Sequence, residues 1–297
     1  MSAAAPAVHF AAAAPELVPL PPLLTEGVVR AALLEDLGRA GDITSEAVVP
    51  ADARFAVTMT SRQDGVVAGL GLAVQAFHLL DPAIRVEILQ PDGMHVSPGE
   101  AVMRIEGLAR PILSAERVAL NFVCRLSGIA SATAHLVAAA RANGHARITC
   151  TRKTTPGLRA LEKYAVRAGG GANHRFGLDD AVLIKDNHLV AAGGIIPAIT
   201  RARAHVGHLV KIEVEVDTLA QLEEALSVGV DAVLLDNMSP ETLRTAVDMV
   251  AGRAITEASG RVNAQTVPAI SAAGVDLISC GWLTHSAPIL DLGLDAA

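Results

Sequence analysis

Residues 210–236 read VKIEVEVDTLAQLEEALSVGVDAVLLD. Two short runs rich in β-branched and apolar residues, 210–216 and 231–235, flank a helical segment. Thr218 followed by Gln221 offers a capping box at the start of that segment. Strand, helix and strand in close succession predict a parallel pair joined by a right-handed crossover. The beat continues in both directions, with runs at 148–151 (ITCT), 181–185 (AVLIK), 254–257 (AITE) and 275–280 (VDLISC). Between them, SPETLRTAV repeats a Ser-Pro helix start, and TTPGLRALEKYAVRAGG offers Thr155 as N-cap, Pro156 at N1 and Gly169 past the end. Six strands fall short of the eight of a closed barrel, so an incomplete barrel or an open sheet is expected.

Upstream the pattern changes. Residues 23–37 have apolar positions at helical spacing, with Thr25 as N-cap and Gly38 as the stop. Residues 52–107 hold short β-like runs cut by Asp-Gly and Pro-Gly turns. Within them, DGMHVSPGEAVMRIEG (92–107) is like the hairpin of a swinging-arm carrier, but its tip is Met94-His95 where a carrier needs lysine, so a structural β unit is expected. Residues 112–142 read as one or two helices.

Composition narrows the function classes. At roughly 150 residues per domain, 297 residues make two domains or one large barrel. With 51% hydrophobic and 19% charged residues the chain can bury a large core. Seven aromatic residues and a net charge of −7 argue against a nucleic-acid binder. Cys124, Cys150 and Cys280, without paired spacing, exclude a disulfide scaffold and zinc ribbons and point to a reduced, cytoplasmic setting. Residues 1–22 contain five prolines and no Lys or Arg, so they read as a loosely ordered extension, neither signal peptide nor spanning helix, and no other segment reads as a membrane span. No P-loop, dinucleotide fingerprint or H-E-x-x-H is present. The ten histidines show no zinc-ligand spacing, and His78, His95, His135, His145, His205 and His208, at turns or on helices, are expected to have no site role.

The polar residues fall where the strands end. Arg152-Lys153, Lys185-Asp186-Asn187-His188, Asp236-Asn237, Ser259-Gly260 and Gly281 each follow or close a run, and alternation puts Glu213 and Glu215 on one face of theirs. In parallel α/β folds that end of the sheet binds ligands. Residues 147–188 hold eight Lys or Arg against four acids, +4 inside a chain of −7, which suggests a small polyanion. Arginine forks suit carboxylates, lysines suit phosphates. The acids Glu215 and Asp236 suit Mg²⁺ with its waters, or ribose hydroxyls. Ser259-Gly260 and Gly281 suit phosphate capture by backbone N–H groups at a helix start. Gly170 and Gly171 allow a sharp turn into Ala172-Asn173-His174-Arg175.

The segments TRKTTPGLR (151–159), KYAVRAGGGANHR (163–175), LIKDNHL (183–189), EVEVDTLAQLEEAL (213–226), LLDNMSP (234–240), EASGRVN (257–263) and GWLTHS (281–286) resemble the quinolinate phosphoribosyltransferases, also called nicotinate-nucleotide pyrophosphorylases (carboxylating). EDLGRAGDITS (35–45) and ERVALNFVCRLSGIAS (116–131) extend the resemblance to residues 23–295. It implies an α/β fold: an N-terminal α/β sandwich (23–125, with 286–297 open to returning to it), then an incomplete α/β barrel (126–285) of fewer than eight strands. It implies transfer of phosphoribosyl from phosphoribosyl pyrophosphate to quinolinate, giving nicotinate mononucleotide, pyrophosphate and CO₂ for NAD biosynthesis, with Mg²⁺ as cofactor. It further implies a homodimer or hexamer of dimers with a shared active site, and no nucleic-acid or membrane partner.

By the same resemblance, Arg152, His174 and Arg175 bind the carboxylates of quinolinate, and Arg117 reaches in from the neighbouring subunit. Lys153 and Lys185 lie between quinolinate and the phosphates and serve catalysis with Glu215 and Asp236, which hold ribose hydroxyls and Mg²⁺, directly or through water. Ser259, Gly260, Gly281 and His285 receive the 5′-phosphate. Arg261 and Trp282 depart from the residues many members carry there. The alternatives are a paralogue associated with molybdenum transport, a nicotinate phosphoribosyltransferase, and a non-catalytic sugar-phosphate-binding barrel.

Overall fold

The computed structural model describes residues 17–296. Within it two compact units form, one of residues 17–134, 154–170 and 283–296, the other of residues 135–153 and 171–282. The expected extension, residues 1–22, lies up to residue 16 outside the described residues, and residues 17–21 carry no helix or strand.

In the first unit, α1 (Pro22–Leu37) opens the fold, followed by the short α2 (Ile43–Val48). Thr25 is not the N-cap of α1. The helix begins earlier, at Pro22, and the Thr25 hydroxyl donates to the Pro22 carbonyl from inside the first turn. Proline at the first helical position has no N–H to satisfy, so no side-chain cap is required. Gly38 stops the helix as expected, at φ +53°.

Strands β1 (Arg54–Ser61), β2 (Gly65–Val66), β3 (Arg85–Ile88), β4 (His95–Val96) and β5 (Ala101–Leu108) follow, interrupted by α3 (Leu70–Leu80). The strand Leu292–Ala296 at the chain's other end pairs antiparallel with β1, completing a four-stranded sheet with β5 and β3. A side chain on Gly128 would collide with the Pro288 carbonyl, so this return needs glycine there. The long helix α4 (Ala109–Arg141) is one helix, not two. By length and composition alone it could cross a membrane, with a window of mean hydropathy 1.4, but 56% of that window is buried in the fold, as befits a core helix.

Helix α5 (Arg159–Ala168) starts three residues later than the Thr155 cap implies, because Thr155–Leu158 form a turn instead. Glu162, fully buried, reaches back to that turn. Its carboxylate accepts the Thr155 N–H (3.0 Å) and hydroxyl (2.8 Å), and Arg125 of α4 at 3.0 Å. Arg125 also donates to the carbonyls of Thr284 and Ala287, so a single ion pair ties α4 to two other segments.

The second unit is built on a parallel sheet of β6 (Arg147–Thr149), β7 (Val182–Ile184), β8 (Ile212–Val216), β9 (Ala232–Asp236), β10 (Ile255–Ser259) and β11 (Leu277–Ser279), in the order β6-β11-β10-β9-β8-β7. It curls into an incomplete barrel. Helices α6 (Asp186–Ala192), α7 (Ile195–His205), α8 (Leu219–Val228), α9 (Pro240–Val250) and α10 (Val267–Ala272) make the crossovers. The capping box on α8 forms as its sequence indicates, as does the Ser239 cap on α9. Thr218→Ala is expected to lower stability by about 1 kcal/mol, read as a shift of the urea midpoint.

One element escaped the sequence pattern. Ala172 forms a parallel bridge to Thr149, its N–H donating to the Ile148 carbonyl at 2.8 Å. The segment after Gly171 is thus the stub of a further strand on the free edge of β6. Gly170, at φ +81°, makes the turn into it.

Candidate active site

In the second unit the sequence-selected residues gather at the C-terminal ends of the parallel strands. Arg152 and Lys153 follow β6, and Lys185 follows β7. Glu215 lies one residue from the end of β8, and Asp236 and Ser259 are the last residues of β9 and β10, level with one another in register. Gly281 follows β11. His174 and Arg175 arrive on the stub beside β6.

The cations are poised unevenly. Lys185 Nζ donates to Glu215 Oε2 at 2.6 Å. Arg175 donates one guanidinium nitrogen to the Ala181 carbonyl at 3.0 Å. Its Nε, and that of Arg152, are buried without a hydrogen-bond partner. Burial, and then the like charge of Arg152, hold Arg175 below its usual pKa, with Asp180 and Glu213 acting the other way. Two guanidinium groups close enough to repel, each with an orphaned donor, form an anion site: desolvation and repulsion are both relieved when a carboxylate enters. Lys153 is exposed, and its backbone N–H donates to Thr151 Oγ1.

His174 has protein partners on both ring nitrogens. Its Nε2 lies 3.0 Å from Glu213 Oε2 and 3.7 Å from Glu257 Oε1, while Nδ1 accepts the Arg175 backbone N–H at 2.8 Å. Glu213 and Glu257 stand two residues before Glu215 and Ser259 on their strands, hence one layer deeper. Sequence reasoning gave Glu257 no role beyond ending its run. The available signal was a charged residue at an inward-facing strand position.

Other placements correct the sequence reading. Ser259-Gly260 does not sit at a helix start, since α10 begins only at Val267. Gly260, at φ +94°, is instead required because a side chain there would collide with the Asn237 amide. Gly281 does precede a helix, the single turn Trp282–His285. The basic stretch 147–188 is divided between the two units. Arg159, Lys163 and Arg167 belong to α5 in the first unit, with Lys163 fully buried. Arg117, exposed on α4, and His285, exposed with Nδ1 at 2.6 Å from Ser286 Oγ, also belong to the first unit.

A parallel, incomplete barrel that collects cations, orphaned guanidinium donors and two acids at the carboxyl ends of its strands is the framework of an enzyme for a small polyanion. Comparison with known proteins makes this specific. The quinolinate phosphoribosyl transferase C-terminal domain matches residues 129–295, and the N-terminal domain of the same family matches residues 42–127. A probable nicotinate-nucleotide pyrophosphorylase (carboxylating) of Bacillus subtilis is 43% identical, covering 88% of this chain and 90% of its own. The Mycobacterium leprae nicotinate-nucleotide pyrophosphorylase (carboxylating) is 42% identical over 90% of this chain and 95% of its own. The solved structure of the nicotinate-nucleotide pyrophosphorylase from Francisella tularensis superposes with a TM-score of 0.90 at 37% identity, covering 94% of this chain and 98% of that one. The chain belongs to the quinolinate phosphoribosyltransferase family.

Proposed function

We infer that the chain transfers phosphoribosyl from phosphoribosyl pyrophosphate to quinolinate with loss of CO₂, forming nicotinate mononucleotide and pyrophosphate in de novo NAD biosynthesis. The observation that carries the reading is the pair Arg152 and Arg175, mutually repelling cations whose Nε atoms are buried without a hydrogen-bond partner. A pyridine dicarboxylate supplies acceptors for both.

Held by those forks, the pyridine nitrogen is brought in line with ribose C1. As the C1–pyrophosphate bond breaks, positive charge grows on the sugar, which Glu215 and Asp236 stabilise, while Lys153 and Lys185 favour the leaving phosphates. The nitrogen lone pair then forms the N–C1 bond. The ring, now cationic, accepts the electron pair left on C2 when the carboxylate departs as CO₂, and a proton from solvent completes C2. The ring's own charge does the work of an electron sink. Ser259, Gly260, Gly281 and His285 are proposed to receive the 5′-phosphate.

Glu215 and Asp236 offer only carboxylate oxygens from adjoining strands, a hard donor set that fits Mg²⁺ with retained waters. They would hold it, directly or through water. Bound there, it would neutralise pyrophosphate charge. Chelation is expected to abolish turnover, and added Mg²⁺ to restore it. Unchanged activity in EDTA would remove the metal from the reading.

Quinolinate labelled in its C2 carboxylate tests the function. Labelled CO₂ released only with phosphoribosyl pyrophosphate supports it, whereas turnover of nicotinate without CO₂ overturns it.

The subunits are further proposed to form a cytoplasmic homodimer, or a hexamer of dimers, in which Arg117 serves the partner's site. Its exposed position on α4 supports this. Mixed dimers of Arg117→Ala and Lys153→Ala chains, each inactive alone, should regain one working site of the two. No recovery in verified heterodimers would refute sharing.

A further inference from the structure

We propose that Asn237 is a positioning residue for the reaction. Its carboxamide fixes the rotation of the Asp236 carboxylate, and the same amide lies against Gly260 on the neighbouring strand end. It acts through these two neighbours. The proposal rests on the reading that Asp236 meets the ribose, and concerns how that carboxylate is aimed.

The chain has little room here. β9 ends at Asp236, and α9 begins at Pro240 with Ser239 as its cap. Asn237 makes the change of direction in the left-handed region, at φ +51°. A side chain strains that conformation, asparagine and aspartate among the least, and glycine adopts it freely. The turn by itself therefore does not call for asparagine.

The hydrogen bonds supply the reason. The Asn237 N–H donates to the Ser259 carbonyl at 3.0 Å, which ties the turn to the end of β10. The side-chain Nδ2 donates to Asp236 Oδ2. An ionised carboxylate only accepts, so the amide must present its nitrogen to Asp236 and its oxygen elsewhere. That oxygen lies against Gly260, where an added Cβ would overlap both Oδ1 and Cγ. Aspartate at 237 would keep the turn but offer no donor, and would set a second negative charge against Asp236. Glycine would keep the turn and offer nothing. Asparagine joins the turn to the donor.

Position gives the hydrogen bond its use. Asp236 and Ser259 are level in register at the ends of β9 and β10. Asn237 thus stands between the acid proposed for the ribose and the Ser259-Gly260 pair proposed for its 5′-phosphate. Asp236 is only half-buried, so a hydrogen bond has to do what close packing does in a core. With Oδ2 held by the amide, Oδ1 is left whole for the ligand. A substrate that must meet an acid and a phosphate loop together gains from groups already aimed.

Two measurements test this. The first is titration calorimetry of phosphoribosyl pyrophosphate, with Mg²⁺ present, and of quinolinate. The proteins are the parent, Asn237→Gly, Asn237→Asp, Asp236→Ala, and the double variant of Asn237→Gly with Asp236→Ala. Asn237→Gly should bind phosphoribosyl pyrophosphate about tenfold more weakly than the parent, and Asn237→Asp more weakly still. Quinolinate affinity should stay within about twofold. The double variant should bind no more weakly than Asp236→Ala alone, because the amide acts through that carboxylate. Parent affinity in both Asn237 variants would leave the residue a turn and nothing more. Additive losses in the double variant would make it a direct ligand, and equal losses for both substrates would mean a disordered mouth. Each of these overturns the proposal. The second measurement compares crystal structures of the parent and Asn237→Gly without ligand. The expected result is the same turn with the Asp236 carboxylate rotated or in more than one rotamer. An unmoved carboxylate overturns the proposal. If the parent binds no phosphoribosyl pyrophosphate, the functional reading fails, while the two structures still decide whether Asn237 holds Asp236.

Discussion

Arg175→Ala is expected to lower kcat/KM for quinolinate by about 100-fold, the loss of one charge-assisted fork at ~2–3 kcal/mol. Affinity for phosphoribosyl pyrophosphate should change far less, because the missing groups are those that face a carboxylate. Arg175→Lys should not rescue, since a lysine offers a point charge where two donors in a plane are needed. A counter-intuitive result should accompany the loss. Without ligand, the variant should be at least as stable as the parent, because Arg175 is partly desolvated and is repelled by Arg152. Titration calorimetry with each substrate, beside thermal melts with and without quinolinate, checks all three statements. Equal losses of affinity for both substrates would show that Arg175 does not face quinolinate. A large drop in unliganded stability would show that it serves the fold instead.

That guanidinium also shows what could be read from sequence and what could not. The parallel sheet was legible because β-branched runs and capped helices alternate, and the Thr218–Gln221 box and the Ser239 cap formed where their side chains required. Strand ends then located the mouth. The errors share a physical cause, which is that local chemistry was overridden by a neighbour distant in sequence. Thr155 has the composition of a cap, but the buried Glu162 carboxylate captures both its N–H and its hydroxyl, so the helix starts at Arg159. Ser259-Gly260 has the composition of an anion-binding helix start, but its glycine answers to Asn237 across the sheet. Helix α3, Leu70–Leu80, lies inside the stretch 52–107 whose runs read as β-like, begins at a left-handed glycine and is apolar through most of its length, so its pattern separates poorly from a buried strand. The stub at Ala172 is a single bridge, too short for any periodicity. Glu213 was seen to share a face with Glu215, but which acid lies deep and which lies at the mouth depends on where the strand sits in the sheet. Sequence alternation is silent on depth.

Depth gives Glu257 a consequence of its own, a pH dependence of stability. Burial first, and then the charge of Glu213, push its pKa up to about 8, against partial relief from His174, the Ser279 hydroxyl and Lys185. The folded protein thus keeps a proton that the unfolded chain releases near pH 4.5. Between those two values the native state binds more protons than the unfolded one, so stability must fall as pH rises through that window. Below it both states are protonated and the penalty vanishes. Above about 8 the carboxylate ionises in the fold and the penalty is fully developed. With 1.36 kcal/mol for each pKa unit, the loss across the window is of order a few kcal/mol. Glu257→Gln keeps the shape and the neutral state but cannot ionise. Its denaturant midpoint should therefore change less than the parent's from pH 5 to pH 9, with the variant gaining on the parent as pH rises. Parallel curves would mean that Glu257 is already charged at pH 5, stabilised by His174 more strongly than burial opposes it. Convergence at low pH and divergence at high pH would place the retained proton on Glu257.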